Sequence, residues 1–422
     1  MATVTEKDIL FRSGGACLTK YGVPWYRRRW DKDEGEAYTF TRADASTCAT
    51  YVDQGLLIRN AVAGKLRADW SGSTLGLLLE AARTNLCLQS EDFATTWTAI
   101  GTPTITTNAA TCGTLSLDLI GDDSAAAGEG YYQSFATGVV ATGAAALSFF
   151  VKVGTSVPAT YGEIALTDTT AGVKRARCNV TWTGTVAVAT CTTGTVLATV
   201  ALGGGVYRVL IQSTTCLAAN GHNIDIYPAS GIIADVGNLY VGGVQLENAP
   251  YPSSYIKTTA ATITRAADAL TFPIGFPPQD LTVYVRLPRP AWADATGAFT
   301  FTLGVVGIGS DASFGALLYG SETSRLWGAW LGEQTVTASI PAGSTQELCA
   351  QFRFTTDGKC RLDVGSGFGA LSSVATNLTF ANQNSQVGHW QNANQSLDGA
   401  IEQLLVCRGL FTLAEMQAWA AL

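Results

Sequence analysis

The chain has 422 residues, with 26 Lys and Arg against 33 Asp and Glu, a formal net charge of −7. That balance speaks against a nucleic-acid binder, which carries a basic face to displace counterions. Charged residues are only 14%, against about 25% in average soluble domains, so a coiled-coil rod and a charged disordered tail are excluded as well.

The first stretch differs chemically from the rest. Residues 1–86 hold 12 basic and 10 acidic groups, while 87–422 hold 14 and 23. No run reaches the roughly 20 apolar residues that span a bilayer, and the opening MATVTEKDIL lacks the basic and apolar regions of a signal peptide. A soluble chain without a cleaved leader is expected. Trp25, Tyr26, Arg27, Arg28, Arg29 and Trp30 form a basic, aromatic cluster that abuts Asp31, Lys32, Asp33 and Glu34. Adjacent opposite charges cancel at long range, which fits a self-paired solvated loop. Arg with aromatic residues is equally the composition of an interface core. Trp25, Arg27, Arg28, Arg29 and Trp30 are therefore the candidate docking residues of an irregular N-terminal attachment region spanning 1–86.

From about residue 100 the pattern is of short β-type runs between Gly, Asn, Asp and Ser, such as 146–151, 162–166, 206–211, 281–286 and 351–354. Alternation at period two with turn signals between runs predicts antiparallel sandwiches. The strand pattern breaks over 249–255, where two prolines cannot sit inside a ladder. Two sandwiches follow, over 87–268 and 269–422. Thr39–Asp44 and Thr262–Asp268 are alike, as strands that open or close a module would be. At the end, Thr412 and Glu415 make a capping box, and Leu413, Met416 and Trp419 share one helical face. The fold class read here is all-β, tandem antiparallel sandwiches with one short C-terminal helix.

Three groups of residues carry a family likeness. The first is Phe40-Thr41-Arg42-Ala43, Ala49-Thr50-Tyr51-Val52-Asp53-Gln54-Gly55-Leu56, Arg67-Ala68-Asp69, Gly76-Leu77-Leu78-Leu79-Glu80, Arg83-Thr84-Asn85-Leu86 and Ser90-Glu91-Asp92-Phe93 with Trp97. The second is Gly243-Val244-Gln245-Leu246-Glu247, Pro252-Ser253-Ser254-Tyr255-Ile256, Thr258-Thr259 and Thr264-Arg265-Ala266-Ala267-Asp268. The third is Val387-Gly388, Leu397-Asp398-Gly399-Ala400-Ile401, Leu404-Leu405-Val406, Arg408 and Leu413-Ala414-Glu415. The ordered series resembles tailed-bacteriophage virion proteins of the head-fibre or tail-fibre type, with a concanavalin-A-like (laminin-G-type) lectin jelly roll at the C-terminus. The resemblance implies jelly-roll topology, a virion location after synthesis in host cytoplasm, docking on capsid or tail proteins through the N-terminal region, and homo-oligomers, trimers among them. It makes Leu77–Leu79 a buried strand, although composition alone also allows a helix. In the second group Gln245 and Glu247 alternate with Val244 and Leu246, predicting one core face and one wet face, and Gly243 suits positive φ.

Catalytic raw material is thin. Ten Cys show no CxxC pair and no Cys/His spacing that suits zinc. Cys178 and Cys191 lie nearly opposite in a hairpin turning at 183–186, while Cys349 falls several residues out of register with Cys360; reduced buried thiols are the plainer reading. His222, in a turn, and His389 have no nucleophile elbow near them. No catalytic residue and no cofactor is assigned; the metal content is unknown, with room for a structural calcium in a jelly-roll loop. An enzyme is not expected.

Aromatic residues are the better binding candidates, because a sugar ring packs its C–H face on an aromatic plane while its hydroxyls need amide or carboxylate partners. Trp327, Trp330 and Tyr319 neighbour Gly-rich loops, Trp390 precedes an amide-rich loop with Asn392 and Asn394, and Tyr131 and Gln133 share a strand. Core packing competes for every one of them. The reading is non-covalent capture of host-surface polysaccharide by a virion protein, without nucleic acid or membrane insertion. A purely structural capsid or tail decoration and a polysaccharide depolymerase are the alternatives.

Overall fold

The structure is a computed structural model. It describes residues 9–12, 26–28, 39–43, 48–70, 76–158, 160–231, 234–273, 280–288, 302–308, 316–321, 326–331, 334–339, 345–353, 356–365, 367–373, 384–387, 389–390, 392–396, 399–408 and 410–420. The architecture is all-β with antiparallel sheets and one short C-terminal helix.

One sandwich is built from β1 (Thr98–Ile100), β2 (Thr104–Cys112), β3 (Leu115–Asp122), β4 (Gly130–Phe135), β5 (Gly143–Val153), β6 (Gly162–Asp168), β7 (Val173–Thr183), β8 (Val186–Thr193), β9 (Thr195–Ala201), β10 (Val206–Cys216), β11 (His222–Tyr227) and β12 (Gly237–Glu247). One six-stranded sheet runs β2-β3-β12-β5-β10-β9 and the other β8-β7-β6-β11-β4-β1. Period-two alternation turns Ile164 and Leu166, Ile224 and Ile226, and Cys178 and Val180 inward, against Phe149, Val151, Val209, Ile211, Leu239 and Val241 of the facing sheet. Each such large side chain is fully buried, contributing roughly 1.5–3 kcal/mol before entropy is set against it.

The outer faces of the two sheets differ. That of β2-β3-β12-β5-β10-β9 is covered: Leu115, Leu117, Phe150 and Val206 pack beneath Val52, Ile58 and Tyr255. Tyr255 meets Phe150 edge-on, with ring centroids 5.4 Å apart. Gly243 lies under the Phe150 ring at φ +57, where a Cβ would stand 2.5 Å from a ring carbon, so both backbone angle and space require glycine.

The remaining large sheets use both ends of the chain. One orders Tyr26–Arg28, Ile9–Arg12, Gln403–Arg408, Leu281–Pro288, Thr345–Arg353 and Lys359–Asp363; the other orders Gln334–Ser339, Leu326–Leu331, Ala316–Ser321, Thr302–Ile308, Asn384–Val387, Ala269–Pro273 and Thr39–Thr41. Cys360 of the first reaches the Ala329 carbonyl of the second at 3.5 Å.

Five short strands from the stretch read as a separate region, 1–86, thus belong to sheets made with the C-terminal part, three of them by direct pairing. Ile9–Arg12 pairs with Gln403–Arg408, Thr39–Thr41 with Ala269–Thr271, and Gly76–Leu79 with Gly399–Ile401. Strands of three or four residues cannot stand alone, and extending an existing sheet supplies their partners. The sandwich of β1 to β12 is in effect inserted between the segments that complete this second body. Leu77, Leu78 and Leu79 form a buried strand.

At the C-terminus, Leu413–Ala420 is helical. The Glu415 carboxylate accepts from the Thr412 amide and hydroxyl at 2.8 Å, and the Glu415 amide donates to Thr412 Oγ1 at 3.2 Å, closing the capping box. Leu413 and Met416 are buried. No helix among the described residues is long and apolar enough to cross a membrane.

Candidate functional site

Two constellations stand out. The first is a buried charged junction made almost wholly of the residues that carry the family likeness. Arg67 is fully buried and ion-pairs with Asp268 and, at 2.7 Å, with Glu80. Arg42 reaches Asp268 at 3.4 Å, and Arg265 lies 3.6 Å from Glu80 and 3.7 Å from Asp268. Burial favours protonation of Glu80, but Arg265, Arg67 and the Ser254 hydrogen bonds outweigh it and hold the carboxyl well below the carboxylate range.

The same residues clasp the chain where it leaves β12. Glu80 accepts from the Ser254 amide and hydroxyl, both at 2.6 Å, and Glu247 from those of Ser253, both at 2.7 Å. Gln245 accepts from the Ile256 amide at 2.6 Å and donates to the Ser254 carbonyl at 3.2 Å. Asn85, fully buried, donates to the Val244 and Ile256 carbonyls and accepts from the Cys87 and Leu246 amides. The wet face expected for Gln245 and Glu247 is therefore dry: this loop lies on it and uses both side chains as partners. All this is a structural lock, since its carboxylates are spent on protein groups.

The second constellation lies on the outer face of β8-β7-β6-β11-β4-β1, the open counterpart of the covered sheet. Here the outward residues form rows. Tyr132, Asp225, Ala165 and Arg177 are successive cross-strand neighbours, as are Tyr227, Glu163 and Asn179 in the next row, and Ser134, Asn223, Thr167 and Lys174 on the other side. Glu163 is fully buried beneath two cations, with Lys174 in contact and Arg177 Nη2 at 2.6 Å. Arg177 also donates to the Tyr161 hydroxyl at 3.0 Å. Burial opposes the Arg177 charge, yet the Glu163 hydrogen bond and charge outweigh it and strengthen the guanidinium.

Asp225 stands apart from these pairs. Its Oδ2 accepts from the Thr167 hydroxyl, and it forms no ion pair among the described residues. Burial raises its carboxyl above the ordinary value. Flanking it are Tyr132, its cross-strand neighbour, and Tyr227, two residues along the same strand, both half-buried. Burial, then the Asp225 and Glu163 charges, raise the Tyr227 phenol, so it stays a neutral donor. The Lys174 ammonium lies 5.8 Å over the Tyr227 ring centroid, so a carboxylate acceptor beside these residues can take sugar hydroxyls while Tyr132 takes an apolar face.

The structure relocates the predicted residues of this sandwich. Tyr131 is buried in the core, and Gln133 is spent on the Leu88 backbone, accepting at 2.7 Å and donating at 2.9 Å. Both sit one step out of phase with the open face, where Tyr132 takes their place. The HNIDIY run of β11 carried the missed signal, because Asn223, Asp225 and Tyr227 alternate with His222, Ile224 and Ile226.

In the other body, Tyr319 is opposite Gly328, Trp330 opposite Leu317 and Trp327 opposite Gly320. Trp390 is opposite Asn392 in a short ribbon whose second strand, Asn392–Ser396, holds Asn394 where an amide-rich loop was expected. The side chains of these six lie outside the described residues. So do Trp25, Arg29 and Trp30 entirely, and the side chains of Arg27 and Arg28, which sit on the strand Tyr26–Arg28.

Cys178 and Cys191 are direct cross-strand neighbours, with free thiols; Cys349 lies opposite Asp363 and Cys360 opposite Phe352. His222 begins β11 and not a turn, is fully buried, and has neither ring nitrogen hydrogen-bonded. Among the described residues no three His, Cys, Asp or Glu side chains converge as metal ligands.

No family model matches the chain, and no curated protein matches it. Among solved structures, the full extracellular region of zebrafish Gpr126/Adgrg6 is 13% identical, with a TM-score of 0.25, over 68% of this chain and 37% of that one. This chain thus spans well under half of that protein's length. The N-terminal CBM22-1-CBM22-2 tandem domain of Paenibacillus barcinonensis Xyn10C is 10% identical, with a TM-score of 0.26, over 78% of this chain and 98% of that one.

Proposed function

We propose that this chain is a surface protein of a tailed-bacteriophage virion that captures host cell-surface polysaccharide without covalent chemistry. The observation that carries the binding half is Asp225, with Tyr132 as its cross-strand neighbour and Tyr227 two residues along the same strand, on the outer face of β8-β7-β6-β11-β4-β1, whereas the outer face of the other sheet is buried under residues 52–58 and Tyr255. Glu163, the neighbouring carboxylate, is committed to two cations, which favours binding over hydrolysis by an acid pair. The virion half rests on the family likeness of the ordered residue series, many of which build the buried junction. Docking on capsid or tail proteins would use the N-terminal cluster around Arg27 and Arg28.

A shallow sugar site is weak alone, and many copies on one particle supply avidity through effective concentration. The test is a glycan array probed with the full chain, with adsorption of particles carrying and lacking it. Binding to host-surface polysaccharide and reduced adsorption of the deficient particles support the proposal. Equal adsorption with no glycan bound favours a purely structural decoration, and new reducing ends released from the polysaccharide favour a depolymerase.

A further inference from the structure

A sandwich has two lateral sides, and here they are treated differently. On one side the edges are β1, only three residues long, and β2, whose register with β3 breaks between Thr106 and Ala110. Asn108 sits in that break at φ +53, its amide donating to Asp118 and its side chain taking the Ser116 hydroxyl. Shortness and a bulge both discourage strand addition.

On the other side the edges are β8 and β9, joined through Gly194. Residues 186–201, VAVATCTTGTVLATVA, contain no Asp, Glu, Lys, Arg or Pro. β8 pairs only with β7, and β9 only with β10, among the described residues, so each offers a row of backbone donors and acceptors. Val186 is 50% and Val188 42% exposed, both on the open face, with Thr190 exposed beside them. Edge strands are normally guarded by charge, proline or brevity; β8 has eight residues with neither charge nor proline.

We propose that β8 is an interface and that its occupant is β8 of a second copy, paired antiparallel across a two-fold axis. Charge selects that occupant. The chain is net −7, so a second copy approaches against a like net charge, whereas a self-pairing over 186–193 sets no charged side chain against another. A charged partner would find no counter-charge on this strand. The pattern is also self-complementary, since an isologous contact sets the same Val and Thr set against itself. With the axis perpendicular to the sheet, both Tyr132–Asp225–Tyr227 faces lie on one side of a continuous sheet.

Sedimentation equilibrium of the full chain over a concentration series tests this, beside Val186→Lys/Val188→Lys and a control, Val62→Lys, at a valine exposed elsewhere. The expected result is a dimer for the wild type and the control, and dimerisation weakened about tenfold or more in the double variant. Hydrogen exchange on the wild type alone guards against a folding defect: amides in 186–193 should lose protection on dilution. A monomeric wild type, an oligomer that the double variant leaves intact, or amides insensitive to dilution would overturn the proposal.

Discussion

Arg67 and Asp268 stand 201 positions apart in sequence and form a fully buried ion pair. Between them in the chain lies the entire β1 to β12 sandwich, so this pair fastens the segment that enters the sandwich to the one that leaves it. Arg42 and Arg265 share the same carboxylate, and the Glu80 amide donates to it at 3.0 Å. Removing one member leaves buried charge uncompensated, which costs more than the pair itself is worth.

Asp268→Ala should therefore destabilise the chain by about 3–5 kcal/mol, read from the midpoint of urea unfolding. A loss under about 1 kcal/mol, the scale of an exposed pair, would contradict the assignment of this junction as the lock.

Asn85→Leu tests the uncharged half of the same junction. It orphans two carbonyls and two amides that the side chain now satisfies, each costing roughly 1–3 kcal/mol when buried. The expected outcome is faster exchange of the Leu246 and Cys87 amides together with a lower unfolding midpoint.

Acid should act in two stages. Burial lowers the His222 pKa below 6.5, so the unfolded chain binds the proton first and stability falls as pH drops below about 6.5. The slope is at most about 1.4 kcal/mol per pH unit for one group. The depressed Glu80 carboxyl contributes stability that is present above about 4.5 and lost as pH falls below it. Unfolding of His222→Leu followed against pH should lack the first stage and keep the second; identical profiles for variant and wild type would contradict the neutral, buried imidazole.

The Cys178–Cys191 pair predicts a redox response. The neighbouring Cys191 thiol and burial both raise Cys178, and Cys191, only half-buried, is the thiol an external disulfide reaches first. Oxidised glutathione should convert the pair to a disulfide by exchange, releasing reduced glutathione. Thiol titration should then find two fewer thiols, and the hairpin closure should add roughly 3 kcal/mol. Cys191→Ser should abolish both effects.

Much of this architecture is legible in the sequence, for identifiable reasons. Period-two alternation and turn residues reveal strands such as β6 and β10 because each strand's pattern is local. The capping box of Thr412 and Glu415 is local too, as is the hairpin that places Cys178 opposite Cys191. What alternation cannot supply is phase and partner. Tyr131 and Tyr132 are adjacent and chemically alike, and only the register with β11 decides that Tyr132 faces outward. Gln245 and Glu247 look solvent-facing along β12 because the loop that buries them arrives from residues 252–256. Likewise the pairing of Ile9–Arg12 with Gln403–Arg408 joins opposite ends of the chain, and no local pattern encodes it.

The most direct test of the central claim is titration of host-surface polysaccharide into the full chain beside Tyr132→Ala, Tyr227→Ala and Asp225→Asn, each at a half-buried or nearly buried open-face position. Affinity is expected to fall about tenfold per substitution, equivalent to about 1.4 kcal/mol, with unfolding midpoints near wild type. Unchanged affinity in all three variants would contradict the claim.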